Sequence, residues 1–432
     1  MPTITHPRVD EAVQVSLQFL DDIFGRSAAG QKVAVRLWNG TRWPDDAPRR
    51  VTLVLNHPGT LRAMFMPGTE LGLAEAYLFN DFDIEGDIVQ IFSLADDLSE
   101  ATSGWSKKLR AAQSLLKLPK PGKHDTSRRP TSHITGQRHS VKRDRQVVTY
   151  HYNVSNDFYQ LWLDRRMVYS SAYFLTPDTG LDTGQEMKLD YICRKLRLRP
   201  GQKLLDIGCG WGGLIIHAAQ HYGVDATGIT LSQPQVDLAS QRIAAAGLAN
   251  RCRVQVFDYR EFGEPQAYDA LASVGMFEHV GQVKLPVYFK QAFNLVKPGG
   301  VFLNHGIASL AADGPASVPN FNDTYVFPDG ELVPINVSLH VAEESGFEVR
   351  DVESLREHYA LTLRNWVNRL EAHHEQALQF VDEFTYRIWR LFMSGSVHGF
   401  NTGRLNVYQT LLVRRGEDGA SGLPLTRADW YR

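Results

Sequence analysis

Ten consecutive residues, Leu204-Leu-Asp-Ile-Gly-Cys-Gly-Trp-Gly-Gly213, limit most tightly what this chain can become. An apolar strand that runs straight into four glycines within six positions turns where backbone can approach a ligand closely. The first N–H groups of the next helix face the same point. A nucleotide-like ligand is implied. From there the pattern alternates, with strand signals at 204–207, 226–230 and 254–258 and helical signals at 214–221 and 233–246. Further strand signals follow at 268–274, 301–305, 347–352 and 407–414. Strands separated by helical crossovers predict an α/β fold, a mostly parallel sheet with helices on both faces. The last strand is expected to pair antiparallel at the far end.

The glycines alone do not choose the ligand, because Gly208, Gly210 and Gly213 also satisfy dinucleotide spacing. Their neighbours are more selective. Asp206 puts a carboxylate at the strand end, better suited to a cationic amino-acid moiety than to a pyrophosphate. Thr230 stands at the tip of the second strand, where a nicotinamide site carries an acidic residue, and Asp225 lies at that strand's start. Asp-x-Gly-x-Gly resembles the fingerprint of S-adenosylmethionine-dependent methyltransferases rather than that of dehydrogenases.

At 432 residues the chain has room for two or three domains. The segment before residue 100 reads as a small α+β domain: strand signals at 33–38 and 51–55 flank an Asn39-Gly40 turn, and the acidic stretch 68–98 reads as helix. Between 101 and 146 the composition changes. Twelve Lys and Arg face only Asp125 and Asp144 there, a local excess of ten positive charges in a chain of net charge −2. Pro and Ser/Thr mark it as a basic flexible linker, and Leu109, Leu115, Leu116 and Leu118 give its first half an apolar side. Basic residues near acidic lipid contribute about 1 kcal/mol each, so an anionic membrane surface is the expected partner. Nucleic acid is not, since the chain as a whole is not basic. The expected division is 1–100, the linker 101–146, a catalytic domain 147–416 and a tail 417–432.

Three scattered cysteines, Cys193, Cys209 and Cys252, support neither a disulfide framework nor a cysteine zinc site. No metal is expected, and His373-His374-Glu375 reads as solvated surface because adjacent helical residues point apart. The first residues lack the apolar core of a secretory signal. The expectation is a cytoplasmic protein, peripherally bound to the inner face of the membrane.

Several ordered segments carry a family resemblance: Tyr150-His-Tyr-Asn-Val-Ser-Asn-Asp-Phe-Tyr159, Met167-Val-Tyr-Ser-Ser-Ala-Tyr-Phe174, Gly228-Ile-Thr-Leu-Ser-Gln-Pro-Gln235, Ser273-Val-Gly-Met-Phe-Glu-His-Val-Gly281, Asn304-His-Gly-Ile-Ala308 and His358-Tyr359. Together they resemble the cyclopropane fatty acid synthases and mycolic acid methyltransferases. The resemblance implies a class I methyltransferase, Rossmann-like, with a seven-stranded sheet. It implies S-adenosylmethionine as methyl donor and bicarbonate as base, acting on the cis double bond of an unsaturated phospholipid acyl chain.

By the same resemblance, Tyr169 and Ser170 fall near the cofactor's carboxylate end, Asp206, Gly208 and Gly210 at its glycine turn, and Thr230 and Gln235 near its ribose. Asp258 and Tyr259 are placed beside the adenine. Glu278, His305, Tyr359 and the backbone N–H of Ile307 match the holders of bicarbonate. Ser171 stands where many relatives have cysteine, and its hydroxyl remains a donor. That change leaves open whether the product is a cyclopropane or a methylene- or methyl-branched chain. A catalytically silent lipid-binding protein is the alternative of another class, and intact Glu278, His305 and Tyr359 speak against it. The aromatic-rich stretch 357–399 is suited to shielding a carbocation, although most such rings, taken singly, are helix core. The N-terminal domain is a candidate for homodimer formation or for bilayer docking, and the sequence does not choose.

Overall fold

The computed structural model describes residues 7–25, 32–101, 105–129, 134–152, 154–312 and 320–431. The chain opens with helix α1 (Pro7–Phe24), strands β1 (Val33–Arg36), β2 (Arg42–Trp43) and β3 (Val51–Leu55), and helices α2 (Thr60–Phe65) and α3 (Glu70–Leu78). Strand β4 (Phe82–Gly86) and helices α4 (Gln90–Ala101), α5 (Trp105–Lys117), α6 (Val141–Tyr152), α7 (Asn156–Gln160) and α8 (Leu181–Lys195) follow. Next come β5 (Lys203–Ile207), α9 (Gly213–Tyr222), β6 (Asp225–Thr230), α10 (Gln233–Ala245), β7 (Cys252–Val256) and β8 (Tyr268–Val274). The chain continues through α11 (Leu285–Leu295), β9 (Val296–Ser309), α12 (Ile335–Glu344), β10 (Glu348–Ser354) and α13 (Arg356–Ala372). It closes with α14 (His374–Ala377), α15 (Glu383–Asn401) and β11 (Leu405–Val413).

These elements form two units, one of Met1–Arg129, Ala316–Val326 and Asp382–His398, the other of Pro130–Pro315, Phe327–Val381 and Gly399–Arg432. The first unit holds a four-stranded sheet in the order β2-β1-β3-β4, with β1 and β3 parallel and both edges antiparallel. Two expectations change here. The Asn39-Gly40 turn joins β1 to β2 rather than to β3. The stretch 68–98 is not continuous helix, because Phe82 and Ile84 alternate with Asp83 and Glu85, and only the apolar pair is buried. That period of two is a strand's.

The expected boundaries shift as well. The stretch 101–146, expected as a flexible linker, carries α5 and the start of α6. Its basic residues find carboxylates far away in sequence: Arg128 pairs with Asp382, Arg129 lies 2.6 Å from Glu75, and Arg143 pairs with Asp329. Local composition cannot display such partners. The supposed tail is packed too: Trp430 is buried in the second unit's core, Arg427 pairs with Asp351, and Arg197 with Asp429.

The second unit is built on the expected seven-stranded sheet, in the order β10-β11-β9-β8-β5-β6-β7. The five strands from β9 to β7 run parallel, and β11 pairs antiparallel with β9 and β10. On β5, Leu204 packs into one buried cluster and Leu205 and Ile207 into the other, as alternation across a sheet covered on both faces requires. The chain leaves β5 toward β6 and β7 and returns to β8 on the other side, so the order reverses between β5 and β8. Open α/β sheets bind ligands beyond the carboxyl ends of strands at such a reversal. Among the described residues no helix is long and apolar enough to cross a membrane.

Candidate active site

A cleft enclosing about 1170 Å³, its open mouth included, lies at this reversal. All nine cofactor candidates line it: Tyr169, Ser170, Asp206, Gly208, Gly210, Thr230, Gln235, Asp258 and Tyr259. Gly208, at φ +82°, cannot be replaced cheaply, since a Cβ there would meet the Met276 side chain at 2.7 Å. The glycine turn and the loop after β8 therefore close on each other. The Thr230 hydroxyl donates to Gln235 Oε1 at 2.6 Å, fixing the pair at the tip of β6. After β7, Arg260 holds Asp258 at 2.6 Å and reaches Asp144 on α6 at 3.0 Å. Asp144 and Arg260, which the sequence reading passed over, thus wall the cleft.

Asp206 is 2% exposed and its Oδ1 has no partner. Burial pushes its carboxyl up to about 7, against the pull of Lys188. An orphaned acid at a strand end, beneath a glycine turn, fits the cationic methionyl end of S-adenosylmethionine. Trp211 also lines the cleft, its indole N–H donating to Asn156 at 2.7 Å.

The five catalytic candidates fall outside that lining, although Met276, His279 and Val280, which flank Glu278, belong to it. Glu278 follows β8 in a short turn of 3₁₀ helix. His305 lies within β9 rather than at its end, since the strand continues to Ser309; the pairing with β8 nevertheless stops at Val274↔His305. Ile307 N donates to Glu278 Oε1 at 2.8 Å. The Ile307 amide, matched to a bicarbonate donor, is therefore already engaged by Glu278. Glu278 Oε2 and His305 Nε2 are both buried without a partner. Burial raises the Glu278 carboxyl to about 7. Burial, with help from Lys188 and Lys195, holds His305 well below its ordinary value, so its ring is neutral. Gln409 Nε2 lies 3.2 Å from His305 Nδ1; with that amide donating, the ring proton sits on Nε2. An unsatisfied acceptor and an unsatisfied donor stand in one region, which suits a small group that offers both, as bicarbonate does.

The segment 169–174 ties the two regions together. Gln185 of α8 donates to the carbonyls of Val168 and Ser170 at 3.2 and 2.8 Å. On α13, Thr362 Oγ1 accepts from Ala172 N and His358 Nδ1 from Phe174 N, both at 3.0 Å. Ser171 is fully buried and its hydroxyl donates to the Ala172 carbonyl. Tyr169 begins a row of rings, with Trp366 at 5.3 Å, Tyr359 at 6.0 Å beyond it and Phe400 at 4.8 Å from Tyr359. Of the aromatic stretch, Phe384, Tyr386, Trp389 and Phe392 belong to the other unit.

Comparison with protein families matches residues 139–410 to the mycolic acid cyclopropane synthetase family. The chain belongs to this family. It is an S-adenosylmethionine-dependent methyltransferase of class I, Rossmann-like fold. A probable fatty acid methyltransferase of Pseudomonas putida is 40% identical over 92% of this chain and 96% of its own length. The tuberculostearic acid methyltransferase UfaA1 of Mycobacterium tuberculosis is 30% identical over 88% and 87%. The solved mycolic acid cyclopropane synthase CmaA1, complexed with S-adenosylhomocysteine (SAH) and CTAB, superposes with a TM-score of 0.59 at 34% identity, covering 62% of this chain and 97% of that one.

Proposed function

We propose that this enzyme transfers the methyl carbon of S-adenosylmethionine to the cis double bond of an unsaturated phospholipid acyl chain and closes a cyclopropane ring. The observation that carries the reading is the orphaned pair, Glu278 Oε2 and His305 Nε2, buried just after β8 and within β9, one and two strands from β5, from which the cofactor turn springs. When bound, the two small molecules supply a transferable methyl carbon and a base for one proton. The chain's own residues do the rest. Glu278 accepts and the neutral His305 donates, so together they hold an anion beside the reacting carbons. The rings of Tyr169, Trp366, Tyr359 and Phe400 exclude water and offer π faces to the positive charge that forms on the acyl chain when the alkene takes the methyl group. Loss of a proton from the delivered methyl closes the ring. Relatives named for fatty acid methylation support an acyl substrate.

A second reading, a methylene- or methyl-branched product, is favoured by Ser171: its hydroxyl is spent on a backbone carbonyl, so proton loss from the methyl-bearing chain carbon, which gives a methyl-branched alkene, or a hydride shift onto the cationic carbon before the methyl loses its proton, which gives a methylene group, is less constrained. The membrane side of the proposal rests on α5. Leu115 and Leu118 are buried, but Leu109 and Leu116 are 54% and 56% exposed, one helical face apart by seven residues, amid exposed Arg110, Lys117, Lys120 and Lys123. We read this as the surface of a cytoplasmic enzyme that meets anionic lipid.

Purified protein incubated with S-adenosylmethionine, bicarbonate and unsaturated anionic liposomes should release SAH and yield lipid with the upfield ring-proton resonances of a cyclopropane. Release of SAH with only branched-chain signals rejects the ring in favour of the second reading. No release from any unsaturated lipid rejects both.

A further inference from the structure

Helix α8 carries a lysine where its buried face calls for an aliphatic residue. Leu181, Gln185, Leu189 and Ile192 are buried at helical spacing, and Lys188 among them is 1% exposed. Burying an ammonium is costly unless the site answers it. Ser170 gives one answer: Lys188 Nζ donates to its Oγ at 2.8 Å. Because that oxygen accepts from Lys188, the serine's own proton is left to point elsewhere, and Ser170 lines the cleft. Asp206 and Asp164 raise the amine's basicity, but burial outweighs them and brings it down to about 7. Asp164 is already occupied, accepting from the backbone N–H groups of Val168 and Arg166 at 2.8 and 2.9 Å. Asp206 Oδ1, by contrast, accepts from nothing. Lys188 and Asp206 therefore line one cleft as a base and an acid, the first bonded to a neutral hydroxyl and the second with an oxygen that accepts from nothing.

We propose that Lys188 receives the α-carboxylate of the cofactor's methionyl end while Asp206 faces its α-ammonium, so that the cleft recognises the amino-acid zwitterion as a unit. Ser170, oriented by Lys188, adds a second donor to the carboxylate. A buried amine with one neutral partner gains most from a ligand that is anionic at this point and cationic one carbon away. Neutral nucleosides lacking the head gain nothing. The inference concerns the cofactor and holds whichever lipid product is formed.

Calorimetric binding of SAH and of its decarboxylated analogue, which keeps the ammonium, tests the assignment without turnover. The wild type should prefer SAH by roughly 10- to 100-fold, the worth of a charge-assisted hydrogen bond. Lys188→Met, which fills the same space, should bring that preference to within roughly threefold, and Lys188→Arg should keep part of it. Because the readout is a ratio within one protein, a fraction of misfolded Lys188→Met cancels. Asp206→Asn should leave the carboxylate preference standing and weaken discrimination against the deaminated analogue. A Lys188→Met protein that still prefers SAH as strongly as the wild type overturns the proposal. So does a wild type that binds both ligands equally or does not bind SAH.

Discussion

Both units bury charge and pair most of it, but the second also leaves some of it unanswered. Among the described residues of the first unit each buried ionic group is answered. Arg387 meets Asp83 at 3.0 Å, Glu383 at 3.1 Å and the Tyr77 carbonyl at 2.9 Å. Glu75 takes Arg129 and the Tyr325 hydroxyl, and Asp81 bridges His57 and His124 at 2.9 and 2.7 Å. In the second unit, Asp206, Glu278 and His305 each keep a buried polar atom with no partner. Paired charge organises a fold, whereas unpaired charge stores a cost that a ligand can relieve. At Asp206, Glu278 and His305 the contrast points to the site without reference to any relative.

The comparison breaks most visibly at Glu278. Glu278→Gln should lower turnover by roughly 10³-fold, measured as SAH release from liposome assays; retention of a tenth of the activity would remove the orphaned carboxylate from the mechanism. Next in size is Arg387→Met, which strands Asp83, Glu383 and two backbone carbonyls and should cost about 3 kcal/mol of stability in denaturant unfolding. Loss of turnover per folded molecule in that variant would blur the division drawn here. Glu278→Gln also tests the sign of the stored cost. The wild-type carboxyl titrates near 7 when folded and near its ordinary 4.5 when unfolded, so the unfolded chain releases its proton first and stability falls as pH rises from about 4.5 to about 7. The glutamine variant should therefore be more stable above pH 7 by about 3 kcal/mol, with the gap closing below pH 4.5 in paired melting curves. The smallest effect belongs to the first unit's surface: Leu109→Asp with Leu116→Asp should weaken binding to anionic vesicles about tenfold, read by co-sedimentation, with turnover on detergent-dispersed lipid unchanged.

The sheet was legible in the sequence because its central strands are buried on both faces and so read as short apolar runs between helices. Strand β4 was not, since Asp83 and Glu85 on its outer side merged into the acidic helices around it. The linker misled for a related reason: Arg128 and Arg143 have partners 254 and 186 positions away, which no window of composition contains. Within the site, the glycine turn and Thr230 were visible from their residue types at strand ends, whereas Gln235 and Glu278 were visible only through the family resemblance of the segments that carry them. Lys188 belongs to none of the motifs in the sequence, and only the buried spacing of Leu181, Gln185 and Ile192 around it marks its place. That the Ile307 amide is taken by Glu278 is a matter of three-dimensional reach, which sequence does not carry.

The strap from Tyr169 to Phe174 is gripped on one edge by α8 and on the other by α13. Its first residues face the cofactor cleft, and α13 carries Tyr359 and Trp366 of the ring row. Efforts to steer the product by remodelling α13 will consequently alter affinity for the methyl donor as well. Selectivity and donor binding are geared to one another through six residues of backbone.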